Sequence, residues 1–436
     1  MAREELQSIG ITALSEMQET ACHEIGQGKS VVLLSPTGTG KTLAYLCPML
    51  DRLSTDVTHL QAVVILPSRE LALQTFDFFF KLKSGLRATT LCGGHSATEE
   101  QRKLKDFSPQ VIFATPGRFL DHLQRGNIET ANVGLLVIDE YDKCLELGFK
   151  DDLQSISQSL QSVEQYVFTS ATSTNIPNTF FPHQPQPLVT LDFTATKKTS
   201  KTVNVVYTTE YDRLNTLALL LSELQDSKTI VFVSQREDAD RVGRNLKSKH
   251  FFAETYHGGM EQRDRERALY KFRSNCSNIL VSTDLAARGM DIPDVTAVIH
   301  FQLPHDEKAF VHRNGRTERW TSTGKAFAII TPEETIPAYI SNTETYNLHT
   351  DSILVYPPEF AALYIGRGKK DKLGKGDIVG FLCQAGNLSK DDIGEIEVGT
   401  NHIYVAINKQ KTYNLLKSIA GQKIKGKKTL IELMRK

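Results

Sequence analysis

The run Ser35–Thr42 has the sequence SPTGTGKT and contains the residue types that bind a phosphate chain. It lies between a strongly apolar stretch, a predicted buried strand, and a predicted helix start. Backbone N–H groups in such a turn, together with the dipole of the following helix, attract anions. Lys41 is therefore predicted to contact the β- and γ-phosphates, and the Thr42 hydroxyl to ligate Mg²⁺. The other predicted cradle residues are Ser35, where the strict motif has glycine, Thr37, Gly38, Thr39 and Gly40.

The acidic run Asp139–Asp142 follows a second apolar stretch directly. Beside a phosphate loop, Asp139 is predicted to hold Mg²⁺ through a water molecule, and Glu140 to orient or deprotonate the attacking water. An acidic surface turn is the alternative interpretation. Ser170 and Thr172 follow the next predicted strand. Their hydroxyls are predicted to bond the acidic run and thereby to couple nucleotide state to domain geometry.

Two arginines late in the chain, Arg316 and Arg319, are three residues apart and share one face of a predicted helix. Guanidinium groups in this arrangement stabilise charge on a transferring phosphoryl group, as arginine fingers do. The alternative is a basic helix face held in salt bridges. Asp291, which follows another predicted strand and turn, is expected to contact the nucleotide ribose or one of these arginines.

These residues need a scaffold that places strand ends side by side. Residues 31–170 alternate apolar runs with amphipathic segments, and residues 203–330 repeat the alternation without a second phosphate loop. The pattern predicts an α/β protein of two tandem parallel-sheet domains, residues 1–190 and 203–355. Residues 361–436 follow a β-α-β-β-α-β order, which predicts a small ferredoxin-like α+β domain of the kind that RNA-recognition modules use.

Charge separates the last domain from the rest. Residues 361–436 contain 15 lysines and arginines against 7 acids, whereas the preceding 360 residues contain 36 against 44. A basic domain on an acidic body favours a polyanionic partner, with a solvated lysine face as the alternative. No apolar run reaches membrane-spanning length, no secretory signal is evident, and the 6 cysteines form no Cys-x-x-Cys pair. We therefore expect a cytoplasmic protein, without a membrane partner and monomeric.

Taken in order, these motifs resemble those of DEAD-box ATP-dependent RNA helicases, with two RecA-like domains, across about residues 8–335. The resemblance implies an RNA-stimulated ATPase that uses ATP and Mg²⁺, with Gln18 reading the adenine. It implies domain coupling by Asp142, Ser170, Thr172, His312 and Arg313. It also implies RNA contacts by Pro67, Arg69, Gly94, Thr115, Gly117, Arg118, Gln262, Arg265, Thr283 and Arg288. Tyr141 replaces the usual alanine of the acidic box, so it must find room near Ser170. Met1 stands near the place of the aromatic residue that precedes the family's glutamine motif, so the adenine sandwich is expected to be weaker or the chain to start late.

The basic domain resembles the C-terminal RNA-binding domain of DbpA-type helicases, which targets a large-subunit ribosomal RNA hairpin. Its phosphate contacts are expected from Arg367, Lys369, Lys370, Lys425, Lys427 and Lys428. Tyr404 is equally compatible with base stacking and with a place in the core. The function these features predict is remodelling of short RNA duplexes during large-subunit assembly. An ATP-gated RNA clamp and a DNA-directed helicase are the alternatives.

Overall fold

The computed structural model describes residues 6–7, 9–36, 38–93, 96–173, 175–182, 188–194, 202–209, 211–225, 227–284, 295–316 and 324–434. The chain forms two compact units, Met1–Thr199 and Ser200–Ala287 with Ile292–Lys436. The first unit is one α/β domain. The second contains another α/β domain and the basic C-terminal domain.

The first unit is built on a seven-stranded parallel sheet in the order β3-β4-β2-β5-β6-β1-β7. Its strands are β1 Val31–Leu34, β2 Ala62–Ile65, β3 Ala88–Leu91, β4 Val111–Ala114, β5 Leu135–Ile138, β6 Gln165–Ser170 and β7 Val189–Asp192. Its helices are α1 Glu16–Gly26, α2 Lys41–Arg52, α3 Arg69–Lys81, α4 Ala97–Phe107, α5 Pro116–Gln124, α6 Tyr141–Glu146 and α7 Lys150–Ser159. The short edge strand β7 was not predicted from the sequence.

Burial on both faces explains why the strands of this sheet are continuously apolar. Val31 and Leu33 of β1 belong to one hydrophobic cluster, whereas Val32 and Leu34 belong to another on the opposite face. Successive side chains of a strand point to opposite faces, so helices must cover both sides. The carboxyl ends of β5, β6 and β1 are consequently neighbours along one edge. The polar residues that follow these three strands meet there.

The second unit contains a second parallel seven-stranded sheet, in the order β10-β11-β9-β12-β13-β8-β14. Its strands are β8 Val203–Tyr207, β9 Thr229–Val233, β10 Ala253–Tyr256, β11 Ile279–Thr283, β12 Ala297–His300, β13 Lys325–Ile330 and β14 Thr343–Thr345. Its helices are α8 Arg213–Glu223, α9 Arg236–Ser248, α10 Gln262–Arg273 and α11 Glu307–Asn314. The predicted fold of two tandem parallel-sheet domains is therefore confirmed.

The C-terminal domain is the predicted ferredoxin-like sandwich. Its antiparallel sheet has the order β16-β17-β15-β20, and two helices pack on one face. Its elements are β15 Phe360–Ile365, α12 Lys375–Gln384, β16 Ile393–Val398, β17 Ile403–Asn408, α13 Thr412–Ser418 and β20 Ile431–Leu433. A hairpin of β18 Lys423–Ile424 and β19 Lys427–Lys428 precedes β20. Its turn residues, Lys425 and Gly426, both have positive φ, 47° and 75°, which favours a tight two-residue turn.

Candidate nucleotide and RNA sites

The phosphate loop runs from the end of β1 to the start of α2. The Ser35 N–H donates to the Ser170 carbonyl at 3.0 Å, which ties the start of the loop to the end of β6. The Lys41 ammonium donates to the carbonyls of Ser35 and Pro36 at 2.6 and 3.1 Å. Lys41 is only 7% exposed, and burial lowers its pKa to about 8, opposed chiefly by the charge of Glu140. The loop therefore holds a desolvated cation, which is the partner that a polyphosphate needs.

Gln18 contacts this loop from α1. Its side-chain nitrogen donates to the Gly40 carbonyl at 3.2 Å, and its side-chain oxygen accepts from the Ser15 N–H at 2.9 Å, within a capping box. Gly40 has φ +85°, and a Cβ there would lie 2.3 Å from that nitrogen. The glutamine predicted to read adenine is thus positioned against the phosphate loop itself. Its role towards adenine stays a prediction.

Asp139 is the buried carboxylate at the end of β5. One oxygen accepts from the Tyr45 hydroxyl at 2.9 Å, and the other accepts from the Thr169 hydroxyl. Burial raises the pKa of Asp139, as does the neighbouring charge of Glu140, whereas the hydrogen bond from Thr169 and the charge of Lys41 act in the opposite direction. Tyr45 on α2 and Thr169 on β6 therefore fix the orientation of this carboxylate from two sides.

The geometry of the acidic box suits a magnesium ion that arrives with the nucleotide. Among the described residues, no group of three or more His, Cys, Asp or Glu side chains could hold a metal ion. Mg²⁺ in nucleotide sites typically uses one or two protein ligands and takes the rest from phosphates and water. Each Asp139 oxygen accepts one of the two hydrogen bonds above and retains a second lone pair. Asp139 and Thr42 therefore fit as the residues that would hold the ion.

The remainder of the box links β5 to the coupling residues. Glu140 has φ +51° and is the N-cap residue of α6, and its carboxylate pairs with Lys143 at 2.7 Å. Asp142 accepts from the Thr172 hydroxyl at 3.0 Å and from the Ala171 N–H at 3.3 Å. The Ser170 hydroxyl donates to the Thr172 carbonyl at 2.5 Å. The box and the strand end after β6 are thus one hydrogen-bonded unit, with Asp142 as its acceptor.

Tyr141 does not crowd Ser170 in the way that its place in the box suggested. It is 3% exposed and lies within the hydrophobic core. Its ring contacts Phe168 and Phe180 edge-on, with centroids 5.3 and 6.4 Å away. The side chain points away from the polar edge because it occupies the first turn of α6, facing the apolar layer. The substitution is therefore a matter of core packing.

The predicted RNA contacts of the first domain gather at two neighbouring helix starts. Arg69 begins α3 after β2, and its guanidinium donates to the Gly93 carbonyl at 2.8 Å. Thr115 precedes α5 after β4, the strand beside β2. Arg118 on α5 pairs with the buried Glu100 at 2.6 Å. Helix N-termini are suited to phosphate oxygens, because their first backbone N–H groups have no partner within the helix itself. The predicted contacts Pro67 and Gly117 belong to these same two segments.

Arg313 organises the polar centre of the second domain. It is 1% exposed, and its guanidinium contacts Asp284 through Nε at 2.5 Å and Nη2 at 2.7 Å. It also donates to the Gln302 carbonyl at 2.6 Å. Burial, followed by the nearby charge of Arg313, lowers the pKa of His300 to about 3. The imidazole is therefore neutral, and it contacts Asn314 at 3.2 Å.

The other predicted residues of this domain divide into described and undescribed ones. His312 lies in the last turn of α11 and is 4% exposed, and Arg316 lies just beyond the helix and is 3% exposed. Thr283 ends β11. Gln262 and Arg265 contact each other in the first turn of α10. Outside the described residues lie Thr37, Gly94, Arg288, Asp291 and Arg319. The structure therefore describes only part of the predicted arginine-finger and RNA set.

The predicted basic cluster of the C-terminal domain lies on its loops. Lys369 and Lys370 are exposed after β15, as are Lys425, Lys427 and Lys428 on the hairpin, whereas Arg367 is half-buried. The Asp371 carboxylate contacts Arg367 and lies 3.8 Å from the Lys427 ammonium, at the limit of an ion pair, and Asp377 pairs with Lys425 at 2.8 Å. At least three of the six predicted cations thus have carboxylate partners within the domain.

Sequence reasoning missed the residues that hold the functional ones. Tyr45, Thr169 and Lys143 hold the acidic box through hydrogen bonds and an ion pair. Glu100 pairs with Arg118, and His300 contacts Arg313. Only one weak local signal was available, a polar residue near a strand end, as at Thr169 and His300. The others lie within helices, where their partners depend on the tertiary fold.

The fold and the site together define a class of protein. The profile of the DEAD/DEAH box helicase family matches residues 15–179, and the helicase conserved C-terminal domain matches residues 211–321. The DbpA RNA binding domain matches residues 362–433. The chain belongs to the DEAD-box ATP-dependent RNA helicases.

Within that family, the chain is homologous to DbpA along nearly its whole length. It is 33% identical to the ATP-dependent RNA helicase DbpA of Escherichia coli, covering 99% of this chain and 96% of that protein. It is 29% identical to the DbpA of Bacillus subtilis, covering 97% and 95%. Among solved structures, S. cerevisiae Dbp5 bound to RNA and ADP BeF3 matches with a TM-score of 0.68 and 26% identity, covering 78% of this chain and 91% of that one. No described helix is both long and apolar enough to cross a membrane.

Proposed function

We propose that this chain hydrolyses ATP to remodel short duplexes in large-subunit ribosomal RNA. The observation that carries the proposal is the combination of a hydrogen-bonded nucleotide site at the ends of β1, β5 and β6 with a basic, DbpA-type domain on the same chain. The first supports ATP turnover, and the second supports delivery to a particular RNA. We further propose a cytoplasmic, monomeric enzyme. Fractionation of cells and the mass of the protein in solution test those two statements.

In the proposed mechanism, Lys41 binds the β- and γ-phosphates, exchanging its two carbonyl partners for phosphate oxygens. Thr42 and Asp139 would hold Mg²⁺, which would neutralise charge on the phosphates when bound. Glu140 orients the attacking water and accepts its proton. Asp142, Ser170 and Thr172 move as one unit and pass the change to the RNA contacts.

The second domain is proposed to sense the γ-phosphate. Arg316 and Arg319 provide cations for its developing charge, and Arg313 and His312 hold the end of α11 in place. The ATP-bound protein thus grips RNA with both domains, and loss of the γ-phosphate releases that grip. The basic domain stays on its RNA and raises the effective concentration of the neighbouring duplex.

Two substitutions test the assignment of the nucleotide site. Lys41→Ala and Glu140→Gln are each expected to lower RNA-stimulated ATPase by about a hundredfold or more, because the first removes a cation that stabilises phosphate charge and the second removes the general base. Binding to large-subunit ribosomal RNA in the absence of nucleotide should be unchanged. Glu164→Gln, an exposed position before β6, is the matched control. Wild-type turnover in Glu140→Gln would refute the role of this carboxylate.

The RNA target is tested by comparing substrates. We expect large-subunit ribosomal RNA fragments to stimulate the ATPase at lower concentrations than unrelated RNA of equal length, and this preference to be lost when residues 361–436 are deleted. Strand displacement on matched RNA and DNA duplexes separates an RNA helicase from a DNA-directed one. ATP turnover without displacement of either duplex would favour an RNA clamp over the proposed function.

A further inference from the structure

The C-terminal sheet presents an aromatic face that is already occupied. Tyr364 on β15 and Tyr404 on β17 are register partners on the two central strands, and His402 lies beside them with its ring centroid 4.4 Å from that of Tyr404. RNA-recognition modules stack bases on aromatic side chains at this part of the sheet. Yet Tyr404 is fully buried, although it faces away from the domain's own core.

The side chains that cover this face come from α10 of the second α/β domain. Tyr270 packs on Tyr404 with centroids 5.1 Å apart, and its hydroxyl donates to the Glu395 carbonyl at 2.7 Å. Tyr270, Tyr404 and Met434 belong to one hydrophobic cluster shared by the two domains. Tyr404 is therefore neither a free stacking platform nor part of its own domain's core. It is an interface residue between two domains, which neither of the two predicted alternatives, base stacking or a place in the domain's own core, describes.

Charge fixes the direction in which the two domains meet. Arg273, at the end of α10, contacts Glu395 at 2.7 Å and Glu397 at 2.5 Å, both on β16. Near the other end of the helix, the Arg263 guanidinium lies 5.9 Å from the centroid of the Tyr364 ring. Contacts at both ends of α10 prevent the sheet from rotating about the helix as well as from separating from it. A single hydrophobic contact would not prevent rotation.

The same helix also carries predicted RNA contacts. Gln262 and Arg265 lie in the first turn of α10, and Arg273 is the last residue of this helix. A helix of 12 residues is about 18 Å long and behaves as a rigid rod over that length. The orientation of the C-terminal domain and the position of this RNA-contacting turn are thus set by one element.

We propose that the aromatic face of the C-terminal sheet is a docking surface for α10, and that Tyr270 and Arg273 are positioning residues. They hold the RNA bound by the exposed basic loops at a fixed distance and direction from the RNA contacted by Gln262 and Arg265. This inference rests on the proposed function, because it specifies which duplex the enzyme acts on: one at a set spacing from the anchoring element. The basic loops that carry Lys369, Lys370 and Lys428 do not take part in the aromatic contact described above.

The first test separates docking from RNA stacking. The probe is a large-subunit ribosomal RNA fragment titrated onto the full-length protein without nucleotide. Tyr364→Ala and His402→Ala are expected to bind it within twofold of the wild type. The triple variant Lys369→Ala, Lys370→Ala and Lys428→Ala should bind at least tenfold more weakly, with a smaller salt dependence. A tenfold loss with the aromatic variants would overturn the docking assignment.

The second test uses a charge swap. Arg273→Glu should repel Glu395 and Glu397, and the partner change Glu395→Arg with Glu397→Arg should restore attraction. The substrates are duplexes joined to the ribosomal RNA fragment by single-stranded spacers of increasing length. The wild type should unwind one spacer length best, at least fivefold faster than the others. Arg273→Glu should lose this preference while keeping RNA affinity and maximal ATPase, and the swapped variant should regain it.

The outcomes of the spacer experiment are distinguishable. An unchanged spacer preference in Arg273→Glu, or failure of the swap to restore it, would refute the positioning role while leaving the helicase activity in place. If the wild type unwinds none of these substrates, the proposed function itself fails. A fold defect in Arg273→Glu would instead lower maximal ATPase and RNA affinity together. The swapped variant carries the same Arg273→Glu substitution, so a restored spacer preference in that variant shows that the substitution itself does not prevent folding.

Discussion

Replacing Tyr141 by alanine would restore the residue that the acidic box usually has, yet the structure predicts a marked loss of stability. The ring is 3% exposed and packs edge-on against Phe168 and Phe180. Alanine would leave a ring-sized hole between β6 and α6. The backbone of the box would keep its contacts, because the hydrogen bonds of Asp139 and Asp142 do not involve the ring.

The expected magnitude follows from the size of the hole. Removing a buried aromatic side chain costs about 3–5 kcal/mol through lost transfer energy and the residual cavity. Two lost edge-to-face contacts contribute to the upper part of that range. Alanine regains about 0.5 kcal/mol of helix propensity in α6. The net expectation for Tyr141→Ala is a destabilisation of about 2.5–4.5 kcal/mol, which corresponds to roughly 5–18 °C in the melting temperature of a domain of this size.

The assay is hydrogen exchange of the full-length protein, read from peptides that cover β6 and α6, together with urea unfolding followed by circular dichroism. Tyr141→Phe is the matched control and should lie within about 1 kcal/mol of the wild type. At a temperature where both variants are folded, RNA-stimulated ATPase should stay within about threefold of the wild type. A stable Tyr141→Ala with greatly altered ATPase would refute the core-packing explanation and return Tyr141 to the domain-coupling machinery.

Three further outcomes are expected. Folding holds the pKa of His300 near 3, so between pH 6.5 and 3 the unfolded chain binds a proton that the folded chain does not. The free energy of unfolding therefore falls by about 1.4 kcal/mol per pH unit below pH 6.5 because of this group. Between neutral pH and pH 5, urea unfolding should show that His300→Gln loses about 2 kcal/mol less stability than the wild type. Arg313→Met should cost about 3–5 kcal/mol in the same assay, because Asp284 loses its bidentate partner, and adding Asp284→Asn should recover part of the loss. Gly40→Ala should weaken binding of a fluorescent ADP analogue at least tenfold, because φ is +85° and the new Cβ would displace Gln18; unchanged affinity would contradict the assigned loop geometry.

Local signals were sufficient for the two sheets and for the order of the site motifs. A four-residue apolar run such as 135–138 is buried on both faces of a parallel sheet, so its composition alone identifies it. The acidic box and the phosphate loop follow such runs, and parallel strands bring their ends together. The edge strand β14 has no such signal, because its three residues are all exposed. It is a strand only because β8 offers it a partner.

Non-local contacts explain what the sequence could not predict. The side chain of Thr169 faces Asp139 only because β5 and β6 are neighbours. Tyr404 satisfies the strand alternation expected of an outward-facing residue, yet α10 buries it. Alternation predicts the face of a sheet but not what another domain places on it.

The most direct test of the central claim is the affinity of the full-length protein for a single-stranded RNA homopolymer, measured with a non-hydrolysable ATP analogue, with ADP and without nucleotide. A homopolymer avoids the structured RNA proposed for the basic domain, so it reports on the grip of the two α/β domains. The account predicts binding at least tenfold tighter with the ATP analogue than with ADP, and loss of that difference in Arg316→Ala. Equal affinity in all three nucleotide conditions would contradict it.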